Sequence, residues 1–134
     1  MTELQSHDLH ALAASLGFLD LSAGPTREEA MAASKALGSF ARHEVMLAAF
    51  RGQPPWEWHP EDELLLVVEG EVVLTLLGAS PETRILTRGM LFLVPRATWH
   101  RSSSEEGVKI VAVTPREGNR SSLEATPRVV DPTS

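Results

Sequence analysis

Two carboxylates and an imidazole fall within a short stretch of this chain, at Glu57, His59 and Glu63, with Pro60-Glu61-Asp62 between the last two. On a strand, residues two apart point to the same side, so Glu57 and His59 present a carboxylate and an imidazole on one face. Pro60 cannot donate to a strand ladder and favours a turn, which lets Glu63 re-enter on the next strand beside them. A distant histidine, His100, stands after a turn at Gly89 and a proline at Pro95, and closure of a barrel would bring it close. Mixed nitrogen and oxygen donors of this kind suit first-row divalent metals (Fe, Mn, Zn or Ni) rather than calcium, which prefers oxygen alone. With no cysteine in the chain, thiolate ligands, disulfides and cysteine nucleophiles are excluded, so tight metal ligation falls to His, Asp and Glu.

The elements that must position these groups read as short strands. From Ala41 onward, apolar runs alternate with Gly, Pro and charged clusters, the pattern of an all-β sandwich or barrel. The expected strands are Glu44 to Arg51, Trp56 to His59, Leu64 to Glu69, Val72 to Leu77, Thr83 to Thr87, Leu91 to Val94, Thr98 to Ser102 and Val108 to Val113. Glu69-Gly70-Glu71 and Arg88-Gly89 read as tight turns, and Gly78 to Glu82 as a hairpin loop. Leu64 to Val68 is apolar at both parities, so both faces of that strand should be buried and the outer one needs a cover. A helical preface or a second subunit could supply it. Residues 1–40 are alanine-rich: Ser6 can cap a first helix ending at Gly17, Phe18 to Leu21 can form a short strand, and a Thr26/Glu29 capping box opens a second helix running to Leu37, with Gly38 as its stop. After a barrel spanning 41–115, residues 116–134 turn polar and rich in Gly, Ser, Thr and Pro, as expected of a loosely ordered tail or an arm laid on a neighbour.

With 134 residues, 43% hydrophobic and 22% charged, there is room for one domain and one core. No run approaches the roughly 20 apolar residues of a membrane span, and the first residues carry no basic leader region. The expectation is a soluble, unexported, cytoplasmic protein with no membrane partner. The net charge of −6 argues against a nucleic-acid backbone as partner. Small molecules and metal cations remain.

The residues resemble the two motifs of the cupin superfamily. The first motif runs as glycine, spacer, His-x-His, a few residues, Glu, six residues, Gly; here Gly52 precedes Glu57-Trp58-His59, then Glu63, then Gly70. The second runs as Gly, five residues, Pro-x-Gly, two residues, His, three residues, Asn; here Gly89, Pro95, Ala97, His100 and Ser104 stand at those spacings. The resemblance covers about Ala41 to Pro115. It implies an all-β jelly-roll barrel with a short helical N-terminal segment, metal ligation by His59, Glu63 and His100, and a homodimer. Glu57 stands where the family usually has histidine. If it ligates, two carboxylates and two neutral imidazoles cancel the charge of a divalent ion; if not, it sits beside a two-histidine, one-carboxylate face with open positions, as potential general base.

Three functions follow. The first is a metal-dependent enzyme of dioxygenase, decarboxylase or isomerase type, acting on a small organic molecule. The second is a non-catalytic ligand-binding or sensory cupin with a relaxed metal site or a merely wet pocket, suggested by Glu57. The third is a metal-free acid/base enzyme such as an epimerase, disfavoured because no His-Asp or His-Tyr pair is evident and the chain has no tyrosine. Leu65, Val67 and Thr98 share inward parity and should shape the pocket; Arg51, Arg84 and Arg101 are the candidates for holding an anionic group. Trp56, Trp58 and Trp99 have opposite parity and should pack in the core or an interface. His7 and His10 are expected at the surface, His43 at the surface or satisfied, and Glu61-Asp62 in a solvated turn.

Overall fold

The computed structural model describes residues 4–127. Nine strands dominate them: β1 Leu19–Asp20, β2 Ser34–Phe40, β3 His43–Gly52, β4 Trp56–Trp58, β5 Glu63–Leu77, β6 Pro81–Thr87, β7 Leu91–Val94, β8 Trp99–Pro115 and β9 Arg120–Ser122. Two short helices, α1 Leu9–Ser15 and α2 Arg27–Ala32, precede most of them. The result is an all-β barrel of the jelly-roll kind with a helical start, the expected fold class. None of the helices among the described residues is long and apolar enough to cross a membrane.

Two strands decide the architecture by being longer than expected. The two runs Leu64 to Glu69 and Val72 to Leu77 form one strand, β5, and the two runs Thr98 to Ser102 and Val108 to Val113 form another, β8. These two pair antiparallel along most of their lengths, with register shifts between Val67 and Glu69 and between Gly70 and Val73. Glu69-Gly70-Glu71 is therefore a bulged bend within a strand and not a hairpin turn. Gly70 has φ 85°, and a Cβ there would collide with the backbone carbonyl of Gly107 on the facing strand, so the crossing of the two bends demands glycine. Beyond the bends each long strand continues into a second sheet: β5 pairs β7 on one side of the bend and β6 on the other, while β8 pairs β3 and then β4.

Inward-facing residues of β5, β6, β7 and β8 make the principal core, with Val72, Leu74 and Val108 fully buried. Each such side chain contributes about 1.5–3 kcal/mol of burial. Outward-facing Leu66 and Val68 are covered as the alternating apolar pattern requires: α1 lays Leu9, Leu12, Ala13 and Leu16 over them and over Leu47 and Val111. The cover is pinned by Lys109, whose ammonium donates to the Ala13 carbonyl at 2.6 Å and pairs with Glu69 at 3.1 Å.

The helical preface is shorter than its propensities suggest. Asp8, not Ser6, caps α1 by accepting from Ala11 N, and Leu16 ends it. The Thr26/Glu29 capping box is formed as expected. However, α2 stops at Ala32, and Ser34 to Phe40 pair with β3 as a strand in which Gly38 (φ 147°) sits at a bulge. Helix propensity there yields to the sheet edge: Ala49 N donates to the Ala33 carbonyl at 2.9 Å, starting a ladder that a longer helix would forfeit. In the polar stretch expected as a tail or arm, Arg120–Ser122 form β9 and pair with β4 of the same chain.

Candidate metal centre

Trp56, Glu57 and Trp58 alternate across β4 as the strand period requires. Trp56 and Trp58 join Trp99 in a buried cluster on the outer side, while Glu57 faces inward beside His100, its register partner on β8. Pro60-Glu61-Asp62 then turns the chain into β5. The turn is tied down: Ala97 N donates to the His59 carbonyl at 2.8 Å, Arg96 N donates to Asp62 Oδ1 at 2.9 Å, and His43 Nε2 meets the Asp62 carbonyl at 2.8 Å. Those bonds hold His59 at the end of β4 and Glu63 at the start of β5. One oxygen or nitrogen from each of Glu57, His59, Glu63 and His100 lies within 4.8 Å of all the others.

Three of the four are deeply buried; Glu57 is not, with its side chain 50% exposed. His100 Nε2 is 3.0 Å from Glu63 Oε1 and 3.8 Å from Glu57 Oε2. His59 Nε2 lies 3.3 Å from Glu63 Oε2 and 3.5 Å from Glu57 Oε2, yet is aligned for a hydrogen bond with neither and is left buried without a partner. The opposite ring nitrogens are committed. His100 Nδ1 donates to the Thr98 carbonyl (3.0 Å), and His59 Nδ1 donates to Asn119 Oδ1 (2.8 Å). With Nδ1 protonated, a neutral imidazole at either position would turn its Nε2 lone pair toward carboxylate oxygens. That arrangement is repulsive unless a cation, a proton or a metal ion, lies between, and the donor set fits a divalent ion.

The electrostatics reflect the same crowding. Burial acts to lower the pKa of His59, but the carboxylates of Glu57 and Glu63 outweigh it and raise the pKa to about 10. Burial acts to raise that of Glu63, but the hydrogen bond from His100 and the proximity of His59 lower it to about 2. Thr114 Oγ1 donates to Glu63 Oε2 at 2.6 Å and orients that carboxylate.

Two of these supporting residues escape the sequence reading. Thr114 lies on β8 at the same parity as Ile110 and Ala112, so strand alternation could have found it. Asn119 lies in a polar segment with no periodicity, and only the return of the chain to pair β9 with β4 brings it under His59. Its own amide is oriented by donation to the Pro115 carbonyl at 2.6 Å. Of the residues expected to shape the pocket, Leu65 lines it, Val67 lies in the core, and Thr98 contributes its carbonyl to His100. Arg51, Arg84 and Arg101 face elsewhere: Arg51 pairs with Asp20, Arg84 with Glu82, and Arg101 stacks on Trp56. His7 and His10 are exposed.

A family model for the cupin domain matches residues 44–114, spanning both motifs and all four clustered residues. The chain belongs to the cupin family. It is 40% identical over 63 residues to the uncharacterized protein YdbB of Bacillus subtilis strain 168, a stretch that covers 46% of this chain and about half (54%) of that protein. Among solved structures, the cupin barrel is similar to protein NMB1881 from Neisseria meningitidis (TM-score 0.62, 19% identity, covering 83% of this chain and 99% of that one). It is also similar to hydroquinone 1,2-dioxygenase from Sphingomonas sp. TTNP3 with 4-hydroxybenzoate bound (TM-score 0.61, 15% identity, 87% and 82%). At these identities the likeness to the solved structures is one of fold.

Ala97 and Ser104 replace the glycine and asparagine usual in the second motif. Ala97 adopts the left-handed conformation with φ 58°, so the turn keeps its glycine-like shape. Ser104 holds its bend by donating to the Glu71 carbonyl (2.6 Å) and accepting from Gly107 N (3.0 Å).

Proposed function

We propose that Glu57, His59, Glu63 and His100 hold a first-row divalent metal ion, and that the chain is a small metal-dependent cupin acting on an organic molecule in the adjoining cavity. The observation that carries this reading is the pair of histidines whose Nδ1 hydrogens are committed to oxygen acceptors while both Nε2 atoms converge on two carboxylates. When bound, such an ion supplies Lewis acidity toward a substrate oxygen or, if redox-active, activation of dioxygen. His59, His100 and Glu63 are the buried holders. Glu57, half exposed on the cavity side, would be either the fourth ligand, as proposed here, or, if it stays unbound, the general base.

A second reading, a cupin that binds without catalysing, draws on Glu57 itself, because a carboxylate in the usual histidine position lowers the electrophilicity of the centre. Elemental analysis of protein purified without chelator separates the readings. Near-stoichiometric metal that is lost in His100→Ala is expected. Absence of metal from the native protein, with metal regained in Glu57→His, would favour the relaxed binding module. Turnover by the metal-loaded protein in a substrate screen is the further requirement for an enzyme. We also propose a homodimer: β7 pairs only with β5 among the described residues and exposes Leu91 and Leu93, and light scattering showing a monomer at micromolar concentration would overturn it.

A further inference from the structure

The cavity beside the four clustered residues has a volume of about 910 Å³, within the usual range for small-molecule sites. Its walls are apolar, built from Leu21, Met46, Phe50, Leu65, Ile110 and Ala112, with α2 and the Leu21 turn contributing to one side. Two cationic side chains belong to residues that line it, Arg116 and Arg120, and each has a partner. Arg116 donates to the His43 carbonyl at 3.2 Å and lies 3.9 Å from Glu44. Arg120 is the register partner of Trp58, and its guanidinium stacks 5.1 Å from that ring, on the face of β4 opposite Glu57. Its neighbour in the register, Ser121, shares the face of Glu57 instead. Of the lysines and arginines among the described residues that line the cavity, Arg116 is balanced by Glu44, which lines it too, and Arg120 stacks on Trp58, so the walls carry no uncompensated cation.

The charge of the centre points the same way. Two carboxylates balance a divalent ion completely, whereas the three-histidine, one-carboxylate set usual in the family leaves one positive charge. We infer that, given the metal centre proposed above, this cavity selects an uncharged, largely apolar molecule of one or two fused rings that meets the centre through a single oxygen, and that Glu57 is the residue that disfavours anions. An anion entering here would give up its hydration to apolar walls, find no uncompensated cation, and approach a carboxylate. An uncharged ring compound would lose little hydration and gain the apolar contact.

The test uses the full-length protein loaded with zinc, with zinc content measured on the same sample, and titration calorimetry with 2-naphthol and 2-naphthoate. The two probes share their rings, and at about pH 7 the first is uncharged and the second anionic. The expected result is tighter binding of 2-naphthol by about tenfold or more. Glu57→Gln, which keeps shape and removes the charge, and Glu57→His should each narrow or reverse that ratio. Equal or tighter binding of 2-naphthoate by the unmodified protein, no binding of either probe up to about 1 mM, or a ratio unmoved in Glu57→Gln would overturn the inference. Stoichiometric zinc without the preference sinks this inference alone; failure to take up stoichiometric zinc sinks the metal reading and this inference with it.

Discussion

Replacing Asn119 by alanine should weaken metal binding by a residue that touches no metal. Asn119 Oδ1 is the acceptor for His59 Nδ1 at 2.8 Å, and its amide nitrogen is held by the Pro115 carbonyl at 2.6 Å, so the hydrogen bond fixes which ring nitrogen carries the proton. His59 is only 4% exposed, and water cannot readily replace a lost acceptor. In Asn119→Ala a buried N–H loses its partner, at a cost of about 1–3 kcal/mol. The metal-free ring can still hold a proton on Nε2, where the carboxylates of Glu63 and Glu57 stand 3.3 and 3.5 Å away to accept it. Metal binding displaces that proton and leaves the ring with only the unpartnered one on Nδ1, so the cost appears as lost affinity. At about 1.4 kcal/mol per tenfold, zinc binding should weaken by about 10- to 100-fold, the range typical of such supporting groups. Competition against a chromophoric chelator measures the affinity. Asn119→Asp, which keeps an acceptor oxygen, should recover most of the loss. Zinc affinity within about twofold of the native protein in Asn119→Ala would refute the reasoning.

The pH dependence of the metal-free protein follows from the same residues. His59, raised from the usual 6.5 to about 10, stabilises the fold fully below 6.5 and loses that contribution as pH climbs through about 10. Glu63, lowered from 4.5 to about 2, stabilises above 4.5 and loses its contribution as pH falls toward about 2. The Tm of metal-free protein should therefore be highest between about pH 4.5 and 6.5 and fall on either side. Because a metal ion competes with the proton on His59, added zinc should raise Tm more at alkaline than at acidic pH, and the opposite order in a thermal-shift series would be decisive against it. Ala97→Gly should stabilise the protein by about 0.5–1 kcal/mol in a denaturant titration: the left-handed alanine costs about 1–2 kcal/mol, and the added flexibility of glycine when unfolded returns about 0.5–1. Lys109→Met should cost about 1.5–3 kcal/mol and speed proteolytic cutting of α1, since it removes the buried bond to the Ala13 carbonyl; unchanged cutting would mean that α1 is held by its leucines alone.

Much of the site is legible along the chain because strand alternation is a local property. The opposed faces of Trp56-Glu57-Trp58 follow from the pleat, and the prolyl turn that returns Glu63 beside His59 follows from the ring geometry of Pro60. The capping box at Thr26 and Glu29 is equally local, and it forms. The misreadings share a cause. Gly38 as a helix stop and Glu69-Gly70-Glu71 as a tight turn are both reasonable local choices, and each yields to pairing with another strand: β2 with β3, and β5 with β8.

The order of the chemical groups along the chain, the faces on which neighbouring ones lie and the substitution of Glu57 for the family's histidine are determined by the sequence alone, because backbone period and residue type need no distant partner. Tertiary structure decides what those groups do together. Register across β4, β8 and β9 sets His100 against Glu57 and brings Asn119 to His59, and the pairing of Arg116 with Glu44 and the stacking of Arg120 on Trp58 leave a largely apolar cavity without an uncompensated cation. Those outcomes depend on long-range hydrogen-bond ladders whose register can slip by single residues, and a one-residue slip would turn each side chain to the opposite face.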